Sequence, residues 1–437
     1  MRLIPTKKLA IRCVWLTITL TMALAVAAFG QSAPAAHNDL VIKNATIMTA
    51  THGNIKNGSI YIKDGKIVAV GETVNAPASA TVIDAGGKYL TPGIVDSHSH
   101  IALDDDVNEA TSPVTPHMMM KDAFDYQDKA IYRALAGGVT TSLLLHGSAN
   151  MIGGQAIVIK HKYGASRDDL LFPNAPRSIK FASGENPKRV YGSRDQLPST
   201  RMGNFEVQRE ALVQAQDYMR EWDNYNDKVK RGDKDASMPK HDLKLEALAD
   251  VLRGKVMVQI HCYRADEMLT EMAMAKEFGY KLRAFHHAVE AYKVADQLAA
   301  NNVGIATWAD WWGFKQEAWD AIPWNAVMAM RKGVHVAIKS DSEDYNRRLN
   351  QDAAKTMRYG GATEEEALKM ITLNPAWIVG VDDRVGSIDV GKDADLVIWD
   401  GYPLSTTGVP EKVLIDGDVY FDRAQPGLGT THYKEGE

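Results

Sequence analysis

The sequence predicts an α/β protein: a (β/α)8 barrel with a small β domain assembled from both chain ends. Three observations carry this. Strand-like and helix-like segments alternate through the middle of the 437-residue chain, as parallel βαβ units require. Short alternating strands with Asp-Gly turns recur at both ends. Histidines and an aspartate fall at the ends of strand-like segments in the middle, where a barrel carries its reactive groups.

The chain opens with four basic residues, Arg2, Lys7, Lys8 and Arg12, and then an apolar run from Cys13 to Gly30 broken only by threonines. Small residues follow, with Ala28-Phe29-Gly30 as a cleavage site. The first 30 residues therefore read as a secretory signal peptide. The 18-residue apolar run is at the lower limit of a membrane span, so an uncleaved anchor is the bland alternative. Export to the periplasm or the extracellular space follows. Removal of the leader would leave Cys262 as the sole cysteine and would rule out an internal disulfide.

Next come the strands of the first half of the β domain, residues 38–90. Asp39 to Thr49 is one run. Ser59 to Val70 is a hairpin turning at Asp64-Gly65, residues that accept the positive φ angles of a two-residue turn. Residues 386–425 repeat this character, with a strand ending at Trp399 and a hairpin from Val413 to Phe421 turning near Asp416-Gly417. The two ends are expected to pair, leaving 91–385 as the barrel.

Within 91–385, His98 and His100 sit in Asp96-Ser97-His98-Ser99-His100. Residues i and i+2 of an extended strand share a face, so both imidazoles can reach one metal ion. Later units follow in order: strand Val256–Ile260, helix Ala265–Phe278, strand Lys281–Phe285, helix Val289–Ala300, strand Val303–Trp308, helix Gln316–Arg331 despite Pro323, and strand Val334–Ile338. Gln208 to Gly254 is too long for one unit, and its charged centre, 223–240, reads as an inserted mobile loop. His261 follows one strand, His286 and His287 the next, and Asp341 a strand two units on. His146 and His161 are pocket-lining or structural. Trp308 to Trp312 could wall a pocket or simply pack.

Four stretches carry a resemblance beyond this pattern. TPGIVDSHSH (91–100) is similar to the strand that opens the barrel of the amidohydrolase superfamily. FASGENPKRVYG (181–192) with PSTRMG (198–203), HCYRADEM (261–268) and FHHAVEAYKVADQLA (285–299) resemble the imidazolonepropionase-related metal-dependent amidohydrolases. The resemblance covers nearly all of the chain after residue 38. It implies a (β/α)8 barrel with a β-sandwich built from both termini. It also implies metal ligands His98, His100, His261, His287 and Asp341; His287 is preferred to His286 because the family's histidine precedes a small residue, here Ala288. The fourth-strand position offers Lys180, where two-metal members carry a carbamylated lysine, or Glu185, where others use a glutamate bridge.

The expected cofactor is one or two divalent ions, zinc foremost. Metal-activated hydroxide would attack a carbonyl, with Asp341 as the catalytic proton carrier. Tyr191, Arg201, Arg264 and the loop Glu343–Arg348 are the candidates for binding a small-molecule substrate. Cleavage of an amide, cyclic amide or small-peptide C–N bond is the leading reading, with a lactonase, a deaminase or a non-catalytic binding protein behind it. Superfamily deaminases place a glutamate where this chain has Arg264. A net charge of −5 and a pI near 6.2 give no basic patch for nucleic acid. No membrane contact beyond the leader is expected, and a homo-oligomer stays open.

Overall fold

A computed structural model describes residues 39–104 and 107–425. The expected leader lies outside the described residues. Among the described residues, no helix is long and apolar enough to cross a membrane.

The chain begins with β1 (Leu40–Met48), β2 (Asn54–Lys63), β3 (Lys66–Gly71), β4 (Thr81–Asp84) and β5 (Tyr89–Pro92). β6 (Ile94–Ser99), β7 (Val139–Leu144), β8 (Ile152–Gln155), β9 (Ile157–Lys160) and β10 (Ser178–Ala182) follow, then β11 (Met257–Cys262), β12 (Leu282–His287), β13 (Gly304–Thr307) and β14 (Val336–Ile338). The last strands are β15 (Leu396–Asp400), β16 (Val409–Ile415) and β17 (Asp418–Asp422).

The two chain ends do meet. β17, β16, β15, β5, β1, β2 and β3 lie in that order, with β4 beside β1, so the layers expected as a sandwich are one continuous hydrogen-bonded sheet. Both Asp-Gly turns adopt positive φ at both residues, 50° and 74° at Asp64-Gly65 and 49° and 82° at Asp416-Gly417, as a right-twisted hairpin demands. Side-chain alternation along β15 divides its labour. Leu396 and Ile398 enter the sheet's own core, while Val397 and Trp399 join the main core of the molecule. The Trp399 indole N–H donates to Thr91 Oγ1 at 2.8 Å, so the buried ring is not left with an unpaired donor.

The middle strands form two arcs. β14, β13, β12, β11, β10 and β8 make one sheet, parallel from β10 to β14; β6, β7 and β9 make the other. No ladder joins β14 to β6 among the described residues, so the hydrogen bonding alone does not close a barrel. Single bonds bridge the gap: Asp341 N–H donates to His98 O at 3.0 Å and Val95 N–H to Ile371 O at 2.9 Å.

Three helical expectations change. The presumed mobile loop 223–240 is helix only over 223–230, the end of the 30-residue helix Arg201–Lys230; residues 231–240 are non-helical and lead to the helix Leu243–Leu252. Val207, Ala211, Leu212, Ala215 and Tyr218 give the longer helix an apolar stripe that buries its first half. Gln316–Arg331 shrinks to Asn325–Arg331, because Pro323 cannot supply a backbone donor within a helix. Val289–Ala300 is a 3-10 turn over Ala291–Lys293 and α-helical only over Ala295–Ala300.

Candidate metal centre

Six predicted groups converge at the ends of β6, β10, β11, β12 and β14. His98 ends a strand buried at every residue. His98 Nε2 lies 3.2 Å from His100 Nε2, and each lies 3.3 Å from Asp341 Oδ1. Lys180 Nζ is 3.2 Å from His98 Nε2. Ligand atoms on a tetrahedron with bonds of about 2.0–2.1 Å stand about 3.3 Å apart, which matches these edges. His261 is 2 % exposed, and neither of its ring nitrogens has a partner among the described residues. His287 Nε2 is also buried and unpartnered. Such orphaned ring nitrogens are costly unless something binds them. Residues at this centre therefore fit a divalent ion.

Hydrogen bonds set the tautomers. Gln259 donates its Nε2 to Ile378 O at 3.0 Å, which turns its Oε1 toward His286 Nε2 at 2.9 Å. That oxygen can only accept, so His286 carries its proton on Nε2 and presents a bare Nδ1. His98 Nδ1, 2.8 Å away, must donate to it. The relay leaves the His98 Nε2 lone pair facing the centre. His100 Nδ1 sits 2.8 Å from Leu145 O, which fixes its Nε2 in the same way. The relay separates the two adjacent histidines: His287 faces the centre, and His286 orients His98.

The backbone is unusual here. His287, Ala288 and Asp341 have φ of 73°, 42° and 54°, left-handed values that non-glycine residues hold only when their surroundings impose them. Asp96 supplies part of that constraint. It accepts from His98 N–H and Ser340 N–H, each at 3.2 Å, and from the Ser340 hydroxyl. Burial pushes its carboxyl up to about 6, against the pull of Ser340.

Burial also drives His98, His261 and His287 well below the usual histidine range, with Lys339 adding to the effect at all three, Lys180 at His98, and Lys315 and Lys180 at His261. The imidazoles are therefore neutral, the form that binds metal. Lys180, fully buried, is pushed down to about 7 by burial and by Lys339, against the attraction of Asp341. Burial alone would raise Asp341, but Lys339 and His98 hold its carboxyl well below the usual range. Lys339, absent from the sequence reading, bridges Asp341 Oδ2 at 2.8 Å and His287 Nδ1 at 2.9 Å. The centre opens to solvent past His100 and Asp341, whose side chains are 22 % and 21 % exposed.

Other candidates sit elsewhere. Glu185 heads the helix Glu185–Gly192 and pairs with Lys315 at 3.4 Å, so it is Lys180 that the fold sets against His98. Tyr191 is buried and donates to Ser112 O at 2.7 Å. Arg201 is tied to Glu267 at 2.8 Å and Asp266 at 2.9 Å. Arg264 forks onto Asp266 at 3.0 and 3.1 Å, though it also lines a cavity of about 600 Å³ with Lys315 and Glu317. Tyr345, in the loop 343–348, packs edge-on to Trp311. His146 contacts Gly147 O and the Glu109 N–H and also lines a cavity of about 340 Å³, while His161 contacts Ser142 Oγ in the interior.

The amidohydrolase family model matches residues 324–420. The crystal structure of an amidohydrolase from Thermotoga maritima MSB8 is 40% identical, covers 88% of this chain and 100% of its own, and superposes with a TM-score of 0.80. Amidohydrolase tasK of Hapsidospora irregularis is 37% identical over 393 residues, 84% of this chain; the chain spans 40% of the length of tasK. Imidazolonepropionase of Thermoplasma volcanium is 24% identical over 396 residues, 85% of this chain and 92% of its own. The shared architecture and the full-length likeness to the Thermotoga protein place this chain in the amidohydrolase family.

Proposed function

We propose that this protein is a metal-dependent hydrolase of a carbon–nitrogen bond in an amide, cyclic amide or small peptide. The observation that carries the reading is the triangle of His98 Nε2, His100 Nε2 and Asp341 Oδ1, with edges of 3.2–3.3 Å, and His287, whose ligand atom lies within 4.8 Å of those of His98 and Asp341. The two arcs of strands are read as one (β/α)8 barrel over 91–385, carrying the centre at its carboxyl rim. The composite sheet is read as a separate β domain.

His98, His100, His261, His287 and Asp341 would hold one or two divalent ions, with zinc the first choice for this nitrogen-rich set. Such an ion would lower the pKa of a bound water to about 7 and polarise the substrate carbonyl. Lys180, buried beside His98 and tuned to release its proton near neutrality, is positioned to take up CO2 as a bridging carbamate. Asp341, ionised and pinned by Lys339, would receive the water's proton and deliver it to the leaving nitrogen. Arg264 stands where a deaminase's acid is expected, which argues for hydrolysis of the amide itself. The basic and then apolar N-terminus supports export of the mature protein.

The test combines metal analysis with Asp341→Asn assayed against N-acyl amino acids, dipeptides, hydantoins and lactones. The reading expects bound divalent metal, turnover of at least one amide, and a loss of about a thousandfold or more in the variant. A metal-free protein, or unchanged turnover in Asp341→Asn, would overturn it.

A further inference from the structure

Beside the centre, aromatic rings continue outward in an unbroken series. Tyr263 stacks on His287 with centroids 4.8 Å apart and planes 8° from parallel. Trp308 lies 4.9 Å from the same imidazole, and Trp311 stacks on Trp308 at 5.0 Å and 8°. Phe314 stands edge-on to three of them, at 6.2 Å from Tyr263, 5.8 Å from Trp308 and 6.3 Å from Trp311. Yet Phe314 is 52 % exposed, so the box is open on one side. Tyr263 and Trp308 are themselves buried, at 4 % and 5 %, and Trp311 is half-buried, so Trp311 and Phe314 carry the open edge. A partly exposed aromatic edge beside a reactive centre is a surface on which an apolar group can bind.

Charge decides what kind of group the box takes. Aromatic boxes commonly hold cations. Here two ammonium groups already occupy the ring faces: Lys315 Nζ lies 3.9 Å from the Tyr263 centroid, and Lys339 Nζ lies 3.5 Å from the Trp308 centroid. A third cation would meet both. A flat, uncharged ring instead adds another offset or edge-on partner to the series.

We propose that Trp311 and Phe314, backed by the buried rings of Tyr263 and Trp308, form a specificity wall that selects amides bearing a flat aromatic side chain and rejects cationic ones. This rests on the hydrolase reading above and names its substrate class. In the reaction, water adds across the C–N bond: its hydroxyl joins the acyl carbon, and its proton goes to the departing nitrogen. The aromatic side chain lies against the wall and is not itself changed.

The experiment measures kcat/KM of the metal-loaded full chain for N-acetyl-L-phenylalanine, N-acetyl-L-tryptophan, N-acetyl-L-alanine and N-acetyl-L-lysine. Binding of 3-phenylpropanoate is followed in parallel by tryptophan fluorescence. The aromatic substrates should be preferred to alanine by about tenfold or more, with lysine the poorest. Phe314→Ala and Trp311→Ala should erase most of that preference through KM, while Trp324→Ala, exposed and outside the box, should leave it intact. Equal cleavage of alanine and phenylalanine amides would overturn the wall and leave the hydrolase reading standing. Binding of 3-phenylpropanoate that is lost in Phe314→Ala, without turnover of any amide, would support the wall and overturn the hydrolase reading.

Discussion

A histidine becomes a ligand only when its other nitrogen is occupied, and this chain settles that by a relay two residues deep. Ile378 O orients Gln259, Gln259 orients His286, and His286 orients His98. Removing the relay's source should therefore act at a distance. Gln259→Leu, which takes the acceptor away from His286, should bind its metal about 10- to 100-fold more weakly in a chelator competition. Gln259→Glu keeps the acceptor for His286 and should retain most of the affinity. Equal affinities in all three proteins would show that the relay does not set the tautomer. Sequence made the ligands legible because HxH and the histidines at strand ends are local patterns. It could not expose Gln259, Lys339 or Asp96, since a glutamine, lysine or aspartate reads the same whether solvated or buried. Alternation alone could not separate His286 from His287, because it offers both faces until the positive φ at His287 is known; the preference for His287 came from the small residue Ala288 after it.

Elements were legible where one face repeats. The strands of the β ends and of β11 to β14 follow from short apolar runs, and both Asp-Gly turns stand where expected. The helix Arg201–Lys230 was missed because charged residues interrupt its second half and read as a loop; its ordering comes from packing against Leu243–Leu252 and from Trp222 lying 4.8 Å from the His241 ring. One junction between elements has a consequence for the centre. Gly137 closes the helix Lys129–Ala136, and a Cβ there would fall inside contact distance of the Arg347 backbone. Its own φ of −87° is ordinary, so the obstacle is space and not conformation. Gly137→Ala must push the segment that follows Asp341. The expected result is a loss of about 1–3 kcal/mol in urea unfolding, together with weaker metal binding because Asp341 moves with its loop. A stability loss with unchanged metal affinity would show that Asp341 is held independently of that loop.

At the scale of the whole molecule, the question is what fixes the composite sheet to the strands that carry the centre. Apolar alternation along β15 does part of this, and the sequence suggested it. The other part was invisible, because its members are scattered along the chain: Lys160 at the end of β9 meets Asp393 at 2.8 Å, Asp395 at 3.1 Å and Asp416. Lys160 is fully buried, so the network is a desolvated cation held by three carboxylates, with Arg384 adding a second cation on Asp393 at 2.7 Å. Breaking such a group costs more than forming it returns, because the survivors remain buried and unpaired. Lys160→Met should therefore lose about 3–5 kcal/mol at neutral pH. The pH dependence follows from the acids. Burial opposes ionisation of Asp393, but Lys160 and Arg384 hold it down to about 2, so its contribution is present above its unfolded pKa and is lost as pH falls toward 2. Asp395 works in the opposite sense: burial raises it to about 6, so the folded state takes up its proton first and gains from acidification between about 6 and 4. Without Lys160 the carboxylates should shift further up. The deficit of the variant should then shrink as pH is lowered from about 7.5 to 5.5, as the stranded acids protonate. Urea unfolding of both proteins at the two pH values measures this, and a deficit that stays constant or grows on acidification would mean that Lys160 contributes through its packed stem and not its charge.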